Sequence, residues 1–410
     1  MKAYLVGGAV RDQLLGFPVT DRDWVVVGAT PERLRQLGYQ QVGRDFPVFL
    51  HPETREEYAL ARTERKHAGG YYGFVCDASP HVTLEEDLAR RDLTINAIAM
   101  DDNGVFIDPY GGIEDLKFKR LRHVSDAFIE DPVRVLRVAR FAAKFYHLGF
   151  ELAEDTQCLM RLMVKQGELA HLVPERVWQE WQRSLTTDNP ECFITTLRAC
   201  GALRVILPEI DALFGVPGSP RHHSEIDSGI HSLLVLKASV AMSPDPKIRF
   251  AALLHDLGKA TTPVLSWPSH PRHDENGVAI INTLCQRLRI PLDYRHLAEM
   301  VSRFHISIHR LYDVTATQIV SILEQMDAFR RPQRLNEVLL VCEADAQPHG
   351  MRTDYQQTAG WRLLQSECAK ICAKDVMMQG YQGAQIKKVL HLLRVNCVEH
   401  ILSGWSRHET

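Results

Sequence analysis

The hydrophobic pattern changes period part-way along the chain, and that change constrains the fold more than any other feature. Residues 1–120 alternate short strand-like runs with short helical ones. Lys2 to Val6 is a strand pattern broken by Gly7-Gly8, and Ala9 to Leu15 then reads as a helix closed by Gly16. Trp24 to Val27 is strand-like, Thr30-Pro31 supplies an N-cap and a first-turn proline, and Gly38 closes that helix. Phe46 to His51 and Glu57 to Ala61 read as strands about a turn at Pro52-Glu53-Thr54. Residues 66–80, rich in Gly and aromatics, read as a mobile loop. Thr83 to Met100 reads as a helix running into a strand, with a turn at Asp101-Asp102-Asn103-Gly104. From about residue 125 the strand signals fade, and apolar residues recur at helical spacing, as at Val135, Val138, Ala139 and Ala142. The expected architecture is α+β: a small mixed head followed by a long all-α body.

Composition narrows the function classes. With 410 residues, and about 150 per domain, two to four domains are expected. A chain that is 45% hydrophobic and 24% charged buries a sizeable core and is not disordered. Lys plus Arg is 48 against 51 Asp plus Glu, so the net charge of -3 excludes coating nucleic acid by bulk charge. A local basic groove remains open: residues 117–144 hold eight Lys/Arg against three acids, a surplus of 5 that leaves the remainder at -8. Nine scattered Cys without a CxxC pair exclude a disulfide framework and a zinc ribbon. No apolar run is long enough to span a bilayer, and MKAYLVGGAVRD reaches Gly and charge too soon for a signal peptide. The reading is a soluble cytoplasmic protein with no membrane partner. Nineteen His is the one unusual count.

Chemistry first enters at Asp21-Arg22-Asp23, just ahead of Val25-Val26-Val27. In an extended segment the side chains at i and i+2 point to one face. Two carboxylates held side by side repel unless a cation sits between them. Mg²⁺ suits such oxygen ligands and leaves room for phosphates. It can activate an attacking hydroxyl and stabilise a leaving pyrophosphate. Upstream, Gly7-Gly8 opens a helix whose backbone N–H groups can approach a triphosphate, and Arg11 adds a charge-assisted contact.

Gly7-Gly8-Ala9-Val10-Arg11-Asp12, Asp21-Arg22-Asp23 and Arg90-Arg91-Asp92-Leu93-Thr94-Ile95-Asn96 together resemble the head of the class II nucleotidyltransferases. That family contains the CCA-adding enzymes and bacterial poly(A) polymerases. Its head is a polymerase-β-like mixed sheet. The segment from Glu130 to Arg140 resembles the family's nucleotide-selecting helix. Its Asp131-Pro132 has the form of an N-cap and first-turn proline. Arg134, Arg137 and Arg140 step at i+3, and are expected on the surface opposite the apolar stripe. An Arg fork and an Asp can pair with the Watson–Crick edge of cytosine or adenine. The resemblance assigns that pairing to Asp131 and Arg134, and nucleotide contacts to Gly8, Arg11, Arg91, Arg137 and Arg140. Asp92 and Asn96 either bind ribose, orient the arginine or simply cap a helix. Glu57 is either a third acid near the metal or an exposed strand residue.

A second constellation lies in the helical body, where an apolar run from Arg249 ends in His255-Asp256-Leu257-Gly258-Lys259. His, Asp and a hydrophobic helix end suit a bound metal. With His231 upstream, His273 and His305 downstream, and Asp345 last, the pattern resembles the HD-domain phosphohydrolases over roughly residues 228–345. The resemblance gives His231, His255, Asp256 and Asp345 as the core ligands. His273 and His305 are the extra histidines, with His270, His296 and His309 as competitors. Ni²⁺ or another divalent transition metal is expected here, and Mg²⁺ in the head.

The combined resemblance implies template-independent addition of CCA to the 3′ end of tRNA from CTP and ATP. It also implies 2′,3′-cyclic phosphodiesterase, 2′-nucleotidase and phosphatase activities, with Asp21, Asp23, His255 and Asp256 catalytic. The expected division is a head over 1–140, a helical neck and body over 141–222, an HD domain over 223–350 and a helical tail over 351–410. The expected state is a monomer or homodimer. A poly(A) polymerase is the alternative, disfavoured because Gly43-Arg44-Asp45-Phe46 carries Asp where that signature has a second basic residue. An RNA-end phosphohydrolase with an inactive head is disfavoured by the intact Asp21/Asp23 pair.

Overall fold

Strand β1 (Lys2–Val6) stops at Gly7, whose φ of 69° lies in the left-handed region that favours glycine. Helix α1 (Gly8–Leu14) follows immediately. The computed structural model describes residues 1–42, 48–66, 74–218, 227–347 and 355–405. Gly43-Arg44-Asp45-Phe46 therefore lies outside the described residues. The chain folds as two units, Met1–Ile206 and Leu207–Thr410.

The first unit begins with a mixed sheet. After α1 come β2 (Asp23–Val27), α2 (Pro31–Gln36), β3 (Gln40–Val42), β4 (Val48–Leu50) and β5 (Glu57–Leu60). Then follow β6 (Thr63–Lys66), β7 (Phe74–Asp77), α3 (Leu84–Ala89), β8 (Ala99–Met100) and β9 (Phe106–Ile107). Seven strands pair in the order β3-β4-β5-β2-β1-β8-β9, with β2 antiparallel to β1 and parallel to β5. Strand alternation gives the sheet two cores. Val6, Val25, Leu88, Ala97 and Ala99 pack on one face, and Val26, Leu34, Phe49, Tyr58 and Leu60 on the other. The helix starts are capped as the residue types dictate: the Thr30 side chain accepts from the Arg33 N–H, and Thr83 forms a capping box with Glu86.

One expectation for this region needs correction, and a second gains detail. The segment read as a mobile loop contains β7, which pairs antiparallel with β6 through register Thr63↔Asp77. Thr83 to Met100 does run from helix into strand, with α3 ending at Ala89 and a single 3₁₀ turn over Thr94–Asn96 before β8 starts at Ala99.

The rest of the first unit is mostly helical: α4 (Gly112–Lys117), α5 (Val133–Phe145), α6 (Glu154–Lys165), α7 (Pro174–Leu185), α8 (Glu191–Ala199) and α9 (Ala202–Ile206). Between them β10 (Arg120–Leu121) and β11 (Glu151–Leu152) pair in parallel, a two-residue contact too short to leave a sequence pattern. Helix α5 is buried on nearly every side, including Val133, Leu136, Ala139, Phe141 and Phe145, whereas Ala142 is only half-buried.

The second unit is helical: α10 (Pro208–Asp211), α11 (Ser228–Met242), α12 (Pro246–Leu254), α13 (His273–Arg287), α14 (Leu292–His309), α15 (Ala316–Gln325), α16 (Pro332–Ala346), α17 (Gln356–Ala369), α18 (Ala373–Met378) and α19 (Ala384–Trp405). Helices α11, α12, α14 and α16 pack on one another. Gly258 and Gly277 let the turn after α12 touch α13, since a Cβ on Gly258 would fall 1.8 Å from the His273 carbonyl oxygen. No described helix is long and apolar enough to cross a membrane.

Candidate active sites

In the first unit, strand alternation sends Asp23 to the face of Val25, in register with Val6 on β1 and Glu57 on β5. Arg22 turns the other way, 3.8 Å from Glu56, which also accepts from the Trp24 indole N–H. Among the described residues, neither the Asp21 nor the Asp23 carboxylate makes a hydrogen bond or ion pair. The Asp23 carboxyl is pushed above the usual Asp range, first by lost hydration, opposed by Arg91 and reinforced by Asp21. An exposed carboxylate pair with a third acid in register beside it fits a hard, oxygen-seeking cation.

Arg91 reaches this face from the end of α3. Its guanidinium bonds to the Asp87 carboxylate at 3.2 Å and to the Asn96 carbonyl oxygen at 3.4 Å. A Cβ on Gly7 would stand 2.9 Å from Arg91 Nη1. Gly7 therefore serves both its positive φ and the close approach of this cation.

Asn96, Asp92 and the α5 arginines form one chain. Arg11 Nη1 donates to Asn96 Oδ1 at 2.5 Å, Asn96 Nδ2 to Asp92 Oδ1 at 2.9 Å, and Arg137 Nε to Asp92 Oδ2 at 2.7 Å. The Arg11 guanidinium also stacks over Phe141 and Phe145 of α5 at 5.3 and 5.2 Å. Burial would raise the Asp92 pKa, but Arg137 and the hydrogen bonds outweigh it and hold the carboxyl well below the ordinary range. Asp92 is thus paired with Arg137 of α5, whereas Arg91 is held by Asp87 and the Asn96 carbonyl. Arg140 Nε donates to Glu180 Oε2 of α7 at 2.5 Å and lies 4.3 Å over the Phe141 ring.

The expectation of a solvent-facing arginine stripe on α5 is thus corrected. Arg134 is buried and donates to the Ala127 carbonyl oxygen, while Arg137 and Arg140 turn to buried acids. Asp131 caps as expected, accepting the Val133 N–H, but both its oxygens also take Arg176 of α7, at 3.1 and 2.7 Å. Arg176 and Glu180 were missed by sequence reading. The only local signal was a Glu spaced among Val177, Trp178 and Trp181 on the buried face of α7.

The second unit brings together every predicted HD residue. Two triads form, each with its ligand atoms within 4.8 Å of one another: His231, His255 and Asp345, and Asp256, His273 and His305. They come from α11, the end of α12, α13, α14 and α16. His255 Nε2 lies 3.1 Å from Asp256 and 3.6 Å from Asp345, and His273 and His305 lie 3.3 and 3.6 Å from Asp256. Three of the imidazoles are oriented by the backbone: His255 Nδ1 points at the Ala252 carbonyl, His273 Nδ1 at that of His270, and His305 Nδ1 at that of Ser302. Donating there leaves each Nε2 as a lone pair aimed into the cluster. His255 Nε2 and Asp256 Oδ1 are buried with no well-formed hydrogen bond. This inward set of buried lone pairs and carboxylates fits divalent metal. Without metal, burial disfavours a charged His255, but Asp256 and Asp345 outweigh it and lift its pKa to about 9. Asp256 Oδ2 also takes Lys259 at 2.5 Å.

Of the competitors, His270 is occupied structurally by Thr262 and the Pro217 carbonyl. His309 is not: its Nε2 lies 2.8 Å from Asp345 Oδ2.

The chain is similar to known proteins along its length. Family models match at residues 3–122 (poly A polymerase head domain), 149–214 (probable RNA and SrmB-binding site of polymerase A) and 229–346 (HD domain). A multifunctional CCA protein of Legionella pneumophila subsp. pneumophila is 63% identical over 409 residues, covering 100% of both chains. The Bacillus stearothermophilus CCA-adding enzyme in complex with CTP superposes with a TM-score of 0.62 at 24% identity, over 99% of this chain and 94% of that one. The Thermotoga maritima CCA-adding enzyme complexed with tRNA gives 0.62 at 19%, over 100% and 92%.

Proposed function

The chain belongs to the family of multifunctional CCA proteins, and on that premise we propose that it builds and repairs the CCA end of tRNA from CTP and ATP and trims phosphate from RNA ends. One observation carries the first half. A single hydrogen-bonded chain, Arg11–Asn96–Asp92–Arg137, links α1 to α5. Arg91, from the same Arg90–Asn96 segment, faces the strand that bears Asp23.

In this reading Asp21 and Asp23 would hold Mg²⁺, with Glu57 beside them. The tRNA 3′ hydroxyl attacks the α-phosphate of the bound nucleotide, the O–P bond forms, and pyrophosphate leaves. Gly8, Arg11, Arg91, Arg137 and Arg140 bind and orient the triphosphate. Asp131 and Arg134 read the base edge. In the structure Asp131 is held by Arg176, and Arg134 by Ala127. Base reading therefore requires these side chains to exchange partners, or to use their remaining acceptors and donors. The basic surplus over residues 117–144 favours an RNA backbone nearby.

His231, His255 and Asp345, with Asp256, His273 and His305, would hold Ni²⁺ or a related divalent metal. Bound there, such a metal lowers the pKa of water and supplies hydroxide to a phosphate ester. We assign 2′,3′-cyclic phosphodiesterase, 2′-nucleotidase and phosphatase activity to this centre. We assign the head to 1–140, a neck and body to 141–222, the HD domain to 223–350 and a tail to 351–410. The working site is the cytoplasm, as a monomer or homodimer.

The test is incubation with tRNA lacking CCA, plus CTP and ATP. Addition of two C and one A is expected. Long A-tails without C would overturn the assignment in favour of a poly(A) polymerase.

A further inference from the structure

The two oxygens of Asp345 are divided between histidines on different sides of the cluster. Oδ1 faces His231 Nε2 at 2.8 Å and His255 Nε2 at 3.6 Å, on the side of the metal-ligand triad. Oδ2 takes a different partner, His309 Nε2, at 2.8 Å. His309 is on α14 one turn beyond His305, and its second nitrogen, Nδ1, lies 2.9 Å from the Tyr355 hydroxyl. Tyr355 is itself held in place. It precedes α17, where Gln357 reaches the His309 carbonyl and the buried Trp361 donates to the Ile308 carbonyl at 3.1 Å.

The direction of the chain follows from the chemistry of its ends. Asp345 is a carboxylate and only accepts, so His309 Nε2 must carry the proton. With the imidazole neutral, Nδ1 is a lone pair and Tyr355 donates to it. Burial, together with nearby Cys342 and Asp345, pushes the Tyr355 hydroxyl far above its ordinary pKa, so the donor stays protonated.

We propose that His309 and Tyr355 are positioning residues of the phosphohydrolase centre: Tyr355 fixes the tautomer of His309, and His309 ties down Asp345 Oδ2 so that Oδ1 stays turned to the metal ligands. This rests on the reading of that centre as a metal-dependent phosphohydrolase. His309 is not itself a ligand in this scheme. It is only half-buried, whereas the six residues of the two triads are buried. Partners of this kind commonly alter metal affinity about 10- to 100-fold when removed.

The test uses the full chain with Ni²⁺ as the probe, in wild type, His309→Phe, His309→Gln and Tyr355→Phe. Isothermal titration of the metal-stripped protein reads affinity, and a phosphate ester reads kcat and KM. His309→Phe is expected to weaken Ni²⁺ binding about tenfold or more. His309→Gln, which keeps an N–H donor, should restore most of that affinity. Tyr355→Phe, which deletes one oxygen, should weaken binding severalfold, fold normally, and lower kcat with KM little changed. CCA addition should be untouched in all three. If wild type binds Ni²⁺ and both Phe variants bind it as well, the positioning role is overturned while the metal centre stands. Equal loss in His309→Gln and His309→Phe also overturns it, pointing to direct ligation. If wild type binds no divalent metal at this centre, the phosphohydrolase reading fails and the inference with it.

Discussion

Gly7 and Asp92 carry more of the head's chemistry than their size suggests. Gly7 combines φ of 69° with an Arg91 nitrogen 2.9 Å from where a Cβ would be. Gly7→Ala should cost about 1–2 kcal/mol of backbone strain and push Arg91 away. The expected outcome is a folded protein whose kcat/KM for CTP falls at least about tenfold, read by steady-state kinetics. Asp92 is buried and its pKa is depressed, so its stabilising effect is present above the unfolded Asp value near 4. That stability is lost as pH falls through the folded pKa. Asp92→Asn should therefore destabilise the first unit by about 2 kcal/mol at neutral pH. It should also lose less further stability than wild type between about pH 5 and pH 2, measured by urea unfolding.

Helices α5 and α7 explain what could be read from the sequence and what could not. The Gly7-Gly8 break, the strand running on from Asp23, the Asp131 cap and the His255-Asp256 doublet at the end of its apolar helix are local patterns, and each folds where its pattern points. The arginines of α5 have no such local solution. Arg140 meets Glu180 and Asp131 meets Arg176, pairs separated by 40 and 45 residues. Spacing on one helix distinguishes an exposed stripe from a buried one only when the partner helix is known. The same limit hid β7, whose partner strand lies across residues 67–73, and His309, whose role depends on Tyr355 just ahead of another helix. Glu180→Ala tests the α5–α7 pairing. It leaves Arg140 largely buried without its carboxylate and should destabilise the first unit by about 3 kcal/mol in urea unfolding.

At the scale of the whole molecule, the two units hold two chemically distinct centres. The head presents carboxylate oxygens of the kind that suits a hard cation, and the helical unit presents imidazoles and carboxylates of the kind that suits a transition metal. The overall charge of -3 conceals an uneven distribution: residues 117–144 carry a basic surplus while the remainder is acidic. Part of the unusual histidine count likewise belongs to the second centre, with His231, His255, His273 and His305 in the triads and His309 beside them. In the proposed function each chemistry resides in its own unit. The direct measurement assays both activities, with defined divalent metals, in Asp21→Ala and His255→Ala. Asp21→Ala should abolish CCA addition and leave phosphate-ester hydrolysis intact, and His255→Ala should do the reverse. Loss of both activities in either folded variant, or transferase activity unchanged by Asp21→Ala, would contradict it.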